Sequence, residues 1–363
     1  MPAGGRVSVL PYGALRRAMA IDPAVEVGVE QLVGRARAND EPVAGVAPSR
    51  LALRRLRRNK IALTFGMLFV VVVAVCLAAP YWSHDVAHTD AFKNHITDQV
   101  DVGGKLKDVV STDGVPIGPT WHGRFFLGAD ESGRDIAVRL LYGGRTSLMI
   151  GTGAATLTIL LAVALGTLSG YFGGWTDTII SRTLDIFWSF PVLLLGIALG
   201  TALALGGLQL GPVEIGGDSL LIPLLIIALV YTPYMARPLR GQVLALREKE
   251  FVEAARAQGL GPFRIMFSEI LPNLSSTIIV FFPLMIANAI LLEAALSFLG
   301  AGVRAPRPSW GTMISDGVAK IVSGPHQAIV PGAMLVLAVL ALNVFGDGVR
   351  DAFDPRSKLR VER

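Results

Sequence analysis

Six stretches of this chain, 61–79, 147–170, 186–205, 220–236, 274–292 and 328–346, contain no Asp, Glu, Lys or Arg. Each approaches or exceeds the ~18 apolar residues that mark a membrane-crossing helix. Lipid offers no partner to backbone N–H and C=O groups, so such a segment crosses as a helix whose hydrogen bonds stay internal. The expected fold is an all-α integral membrane protein with six transmembrane helices. Bulk composition agrees: of 363 residues, 52% are hydrophobic and 17% charged, against roughly 25% charged in soluble domains. Mean hydropathy is +0.55. The single cysteine, Cys76, sits inside the first stretch as packing and excludes an intrachain disulfide framework.

Lysines and arginines beside a span favour the cytoplasmic side. Arg50, Arg54, Arg55, Arg57, Arg58 and Lys60 crowd the entry to the first span, which predicts a cytoplasmic N-terminus. Six crossings then return the C-terminus inside, with Arg350, Arg356, Lys358 and Arg360, and place Arg237, Arg240, Arg247, Lys249, Arg256 and Arg264 inside as well. The expected division is a tail over 1–49, flexible or with a surface helix over 27–38, then a basic entry and first span over 50–81. An extracytoplasmic loop over 82–144, a five-helix core over 145–347 and a cytoplasmic tail over 348–363 follow. Tyr81, Trp82, Trp188 and Trp310 read as headgroup anchors. The net charge of +5 belongs to the face toward an anionic inner leaflet; no nucleic-acid partner is expected.

Between the fourth and fifth spans lies a polar insert, EFVEAARAQGLGPFRIMFSEILPN from Glu250 to Asn273. The run 246–258 lacks Gly and Pro and predicts a helix, stopped by Gly259 in the left-handed conformation favoured after a helix end. A second helix is expected from Pro262 to Leu271, broken by Pro272. Phe251, Ala254 and Ala255 share a face of the first helix; Phe263, Met266, Phe267 and Ile270 form an apolar stripe on the second. Such a surface lies on headgroups or docks another protein. Small alanines beside a glycine favour docking, because they let another backbone approach closely.

The insert resembles the EAA loop of ABC-importer permeases, with Glu253, Ala254, Ala255, Gly259, Leu271, Pro272 and Asn273 in the motif positions and Glu269 where relatives commonly carry His. LGADESGRDIAVRLLYGGRTSL (Leu127 to Leu148), ALSFLGAGVRAPRPSWGTMISDG (Ala295 to Gly317) and FGDGVRDAFDPR (Phe345 to Arg356) resemble the dipeptide, oligopeptide and nickel branch of that family, and the layout resembles its C-type permease. The resemblance implies a type I ABC importer transmembrane domain in a prokaryotic cytoplasmic membrane. It implies that 246–273 is the coupling loop gripped by an ATPase, through Phe251, Glu253, Ala254, Ala255 and Gly259, with Leu260, Gly261 and Pro262 at the tip. The implied partners are a second homologous permease, two ABC ATPases that carry the ATP and Mg, and an extracytoplasmic binding protein. Di- or oligopeptides are the implied cargo, with nickel or another small solute as the alternative.

Burying a charge in a bilayer costs at least ~2.5 kcal/mol, so polar residues in or beside the spans need a reason. Asp185, Asn288, Glu293 and Asn343 sit there, either at wet interfacial depth or as interhelical and cavity groups. His84 and His88, one turn apart with Asp85 and His95 nearby, are too few and too far from a pore to assign a metal. The chain has no GxxxxGK[ST] phosphate loop and no HExxH; it is expected to be a non-enzymatic transport subunit without a cofactor of its own. An ion-coupled secondary transporter would want inverted repeats, and no internal duplication stands out.

Overall fold

The computed structural model of the chain describes residues 48–354. The tail expected over 1–49, its alternative helix over 27–38 and the end of the expected C-terminal tail therefore lie essentially outside the described residues.

Helix α1 (Pro48–Arg58) carries the basic entry. Asn59 then starts the first span, α2 (Lys60–Leu77), by accepting a hydrogen bond from Ala62 N at 3.1 Å. A π-helical turn over Trp82–Ala87 and an antiparallel hairpin, β1 (Gln99–Asp101) with β2 (Leu106–Asp108), occupy the long loop. The second span, α3 (Ile136–Phe172), starts well before the apolar stretch at 147. Instead of one straight third span over 186–205, α4 (Gly174–Trp188) and α5 (Val192–Gly206) meet at 89°. Proline causes the break: Pro191 offers no N–H and disfavours the helical conformation at Phe190, and Pro191 itself is extended at ψ 128°. A second hairpin, β3 (Leu208–Leu210) with β4 (Val213–Ile215), leads to α6 (Leu221–Leu246). After α7 (Glu250–Ala257), α8 (Pro262–Phe298) is the fifth span, α9 (Trp310–Val318) is a short helix, and α10 (His326–Phe353) is the sixth span. Among the described residues five helices are thus long and apolar enough to cross a membrane, or six if the bent pair counts as one span.

At the centre, α3 packs against α6 and α8; α8 packs on α10, which also meets α2 and α9. Without a hydrophobic force between helices in lipid, close approach does the holding, and small residues permit it. A side chain at Gly166 of α3 would meet Ala236 O of α6 at 2.9 Å. One apolar core, with Ile150, Ile227, Ile290 and Leu296, fills the α3, α6 and α8 junction. A second, with Leu184, Leu239, Val243, Ile270 and Leu274, lies toward α7.

The segment GADESGRD is a clasp. Asp135 caps α3, its Oδ1 accepting from Ala137 N at 2.9 Å and Val138 N at 3.2 Å, while Oδ2 accepts from Phe125 N at 2.8 Å and Thr89 Oγ1 at 3.1 Å. Trp310 is no headgroup anchor: it is fully buried and donates Nε1–H to Leu140 O at 3.2 Å. An indole that can satisfy its N–H inside gains by burying its whole ring. Nearby, Asp98 pairs with Arg124 and His95, and these hydrogen bonds, Arg124's foremost, hold its carboxyl below the usual carboxylate range. A depressed carboxyl contributes stability above its unfolded pKa of about 3.9 and loses it as pH falls through the lower folded value. Protease resistance of the 90–125 loop should therefore decline only below about pH 4, and Asp98→Asn should remove that acid step.

Candidate functional site

The polar insert is a ledge at one end of the bundle. The expected helix over 246–258 is instead two pieces: α6 runs to Leu246, and Lys249, extended at φ −86° and ψ 148°, precedes a fresh start at Glu250. Burial overrode propensity here, since the restart turns Val252 and Ala255 into the core beneath α6. The inward face therefore differs from the expected one. Val252 and Ala255 are buried, whereas Phe251, Glu253 and Ala254 are exposed.

Gly259 closes α7 in a Schellman motif. Its φ is +81°, its N–H reaches Arg256 O at 2.9 Å, and Leu260 N–H reaches Ala255 O at 3.1 Å. Gly261, extended, then caps a helix that opens on Pro262. Gly259, Gly261 and Pro262 are exposed, while half-buried Leu260 packs into the core beside Ala255.

Pro272 does not break the second helix. A π-helical turn over Met266–Ile270 absorbs the missing N–H, with Leu271 N reaching back to Met266 O, and the helix continues to Phe298. Asn273 Nδ2 donates to Glu269 O at 2.6 Å, so Leu-Pro-Asn forms a stiffened bend rather than a stop. The wider turn also splits the expected apolar stripe: Ile265, Met266 and Ile270 are buried, while Phe263 and Phe267 are 63% and 69% exposed.

A second polar surface runs along α4, α6 and α8. Arg237 donates to Asp185 at 2.5 Å, and its guanidinium lies 4.4 Å from the centre of the Trp188 ring, which stacks on Tyr234 at 4.1 Å. Tyr231 donates to the backbone oxygen of Asn288 at 3.4 Å. One turn further along α6, Arg240 grips Asp177 through two hydrogen bonds of 2.5 Å. Trp188, Tyr234 and Asn288 are exposed in the single chain, and Arg237 is half-buried. Asn343 is half-buried in α10.

Glu293 resolves the other way from Asp185. It is 0% exposed and accepts from Ser297 Oγ at 2.7 Å through one carboxylate oxygen, while the other, Oε2, is buried without a hydrogen-bond partner among the described residues. Ser147 Oγ accepts from Trp310 N at 3.2 Å. The Ser147 bond ties α3 to the start of α9, and Glu293 is buried beside Ser297 within the bundle and not at a wet interface. Glu293→Gln keeps the size and most partners and should leave folded yield in detergent close to that of the unsubstituted protein. Glu293→Lys buries an unpaired cation and should cost at least about 3 kcal/mol, read as loss of monodisperse protein on size exclusion.

His84 is exposed and contacts Asp85 at 3.2 Å; among the described residues no group of three or more His, Cys, Asp or Glu is placed to hold a metal ion.

Residues 162–359 match the family model described as binding-protein-dependent transport system inner membrane component. The chain belongs to this family. Residues 47–97 of the permease match a second model, the N-terminal transmembrane domain of oligopeptide transport permease C. The permease is 37% identical to a dipeptide transport system permease protein of Alkalihalophilus pseudofirmus, over 88% of this chain and 93% of the relative. It is 34% identical to a glutathione transport system permease protein of Pectobacterium atrosepticum, over 86% and 92%. With an oligopeptide transport system permease protein of Bacillus subtilis it shares 35% identity over 84% and 88%. Among solved structures, the methionine ABC transporter MetNI in an inward-facing form aligns with TM-score 0.46 and 18% identity, covering 59% of this chain and 95% of that one.

The site residues that sequence reasoning missed are the anchors and the aromatics. Val252 carries no motif signal, Tyr231 and Tyr234 read as ordinary span residues, and Trp188, expected as a headgroup anchor, instead stacks on Tyr234 of α6 beside Arg237.

Proposed function

We propose that this permease is the transmembrane subunit of an ATP-driven ABC importer of di- or oligopeptides, powered by separate ATPases that grip the ledge from Glu250 to Asn273. The observation that carries the reading is the ledge's construction. Val252, Ala255, Ile265 and Ile270 root it in the bundle, while Phe251, Glu253, Ala254, Gly259, Gly261 and Pro262 remain exposed on its other side. Ala255 and Leu260 then serve the contact by holding the ledge, and Leu271, Pro272 and Asn273 by joining it stiffly to α8. A partner that displaces this ledge moves α8 with it, because no flexible linker intervenes. ATP and Mg belong to the ATPases, and this chain binds no cofactor.

The basic clusters support a cytoplasmic ledge and cytoplasmic termini. A second permease of the same kind covers the stripe of Asp185, Trp188, Tyr234, Arg237 and Asn288, since an ion pair and amide exposed to lipid would be costly. The stripe lines the passage between the two permeases, and the half-buried Asn343, expected as a cavity or interhelical group, serves interhelical contact. Rocking of the pair would alternate access, with cargo delivered by an extracytoplasmic binding protein. The names of the dipeptide and oligopeptide relatives support peptide cargo.

Uptake by the reconstituted complex, comparing labelled di-, tri- and longer peptides with nickel in the presence and absence of ATP, tests the reading. Peptide uptake that requires ATP is expected. Uptake driven by an ion gradient in the absence of any ATPase would overturn it, and ATP-driven uptake of nickel alone would overturn the cargo.

A further inference from the structure

The end of the bundle opposite the ledge holds a cavity of about 590 Å³ between the start of α3, the end of α8 and the start of α9. Four of its lining residues are arginines, Arg134, Arg139, Arg304 and Arg307, against one acid, Asp316. Arg139 is 4% exposed. It donates Nη1–H to Ala91 O at 3.1 Å, and its other nitrogens stand 3.6 Å from Asp130 Oδ2 and 4.0 Å from Asp316 Oδ2. Asp130 is engaged more tightly by Arg134, at 2.7 Å. Two carboxylates therefore face four guanidiniums, and the neighbouring Lys320 and Glu131 neutralise each other.

The rim carries the surplus. Arg304 and Arg307 are exposed; Arg304 donates to Ala204 O at 3.1 Å, and among the described residues neither has a carboxylate partner. Guanidinium groups present planar forks matched to carboxylates, and a concave site intensifies their field. A buried cation at the floor with free cations above it is arranged for an anion entering from the water side.

We propose that this arginine basin receives acidic side chains of the binding protein that delivers cargo to the permease. The inference rests on the importer reading above, and the matched family description names a binding-protein-dependent system. Arg304 and Arg307 steer and orient the incoming protein, and the basin behind them seats one of its carboxylates. Rim charges of this kind act chiefly on the association rate and its salt dependence.

The test measures association of the binding protein that supports the complex's ATP-driven uptake, with the whole complex in zwitterionic nanodiscs. In the Arg304→Glu, Arg307→Glu double variant the association rate should fall about tenfold at low ionic strength. The deficit should shrink as salt approaches about 1 M, where the screening length is about 3 Å. Arg304→Lys, Arg307→Lys keeps both charges and should retain most of the rate. Equal association of the Glu variant at low salt would overturn the basin's role, as would a deficit that salt leaves undiminished, which would mark structural damage. A variant that associates normally but loses uptake only of peptides with a free C-terminal carboxylate, sparing amidated ones, would overturn docking in favour of a cargo site. Failure of the unsubstituted complex to bind any protein that supports its uptake would strike the importer reading itself.

Discussion

Replacing Gly259 by valine is expected to reduce ATP-driven uptake on the order of twentyfold while the permease still assembles with its partners. Gly259 has φ +81°, and a side chain placed there meets nothing within 4 Å. Backbone strain, not a clash, is therefore the cause. A left-handed conformation costs a β-branched residue about 2 kcal/mol, and each 1.4 kcal/mol is about a tenfold change in population. The strain is relieved by opening the Schellman bonds to Ala255 and Arg256, which tilts α7 away from the geometry its partner grips. Asparagine tolerates the left-handed region, so Gly259→Asn should keep most of the activity. Glu253→Lys puts a cation on the exposed side of α7 near the helix N-terminus and should also uncouple transport, by repelling the partner and not by strain. Normal uptake by an assembled Gly259→Val complex would sink the assignment of the ledge.

Asp135→Ala should cost about 3 kcal/mol of stability. The change removes a helix cap and leaves Ala137 N, Val138 N, Phe125 N and the Thr89 hydroxyl without their acceptor. Buried donors left unsatisfied cost more than the hydrogen bonds are worth net. Asp135→Asn keeps one acceptor oxygen for the cap but turns an N–H₂ toward Phe125 N or Thr89, and should lose about half as much. Thermal unfolding in detergent, with proteolysis of the 90–125 loop as a second readout, measures both. A wild-type melting curve for Asp135→Ala would show that the clasp contributes nothing.

Much of the site was legible because its signals are local. Gly259 as a helix stop and Pro262 as a helix start depend on backbone preferences within a few residues, and both stand where those preferences put them. Which face of α7 points inward was not legible. Alternatives with Ala255 buried differ only in whether Val252 or Phe251 joins it, and the turn at Arg247–Lys249 that decides it exists because of the core it serves. Pro272 failed as a breaker for a related reason. A proline stops a helix only if its missing N–H cannot be accommodated, and a π-helical turn accommodates it. Asp177 and Asp185 finding Arg240 and Arg237 depends on how α4 lies across α6, and residue spacing carries no record of that register.

The amino-acid sequence by itself determined that the chain is a membrane bundle, where its polar ledge lies and where the ledge hinges. Lipid forbids unpaired backbone, and Gly and Pro act on their own dihedral angles, so these outcomes need no distant partner. Tertiary structure alone decided that Glu293 is buried among serines, that Trp310 is interior, that the third span is bent against α6, and that four arginines from separate segments converge on one cavity. Each depends on which surfaces meet across long stretches of chain, and desolvation and charge pairing are settled only when those surfaces come together.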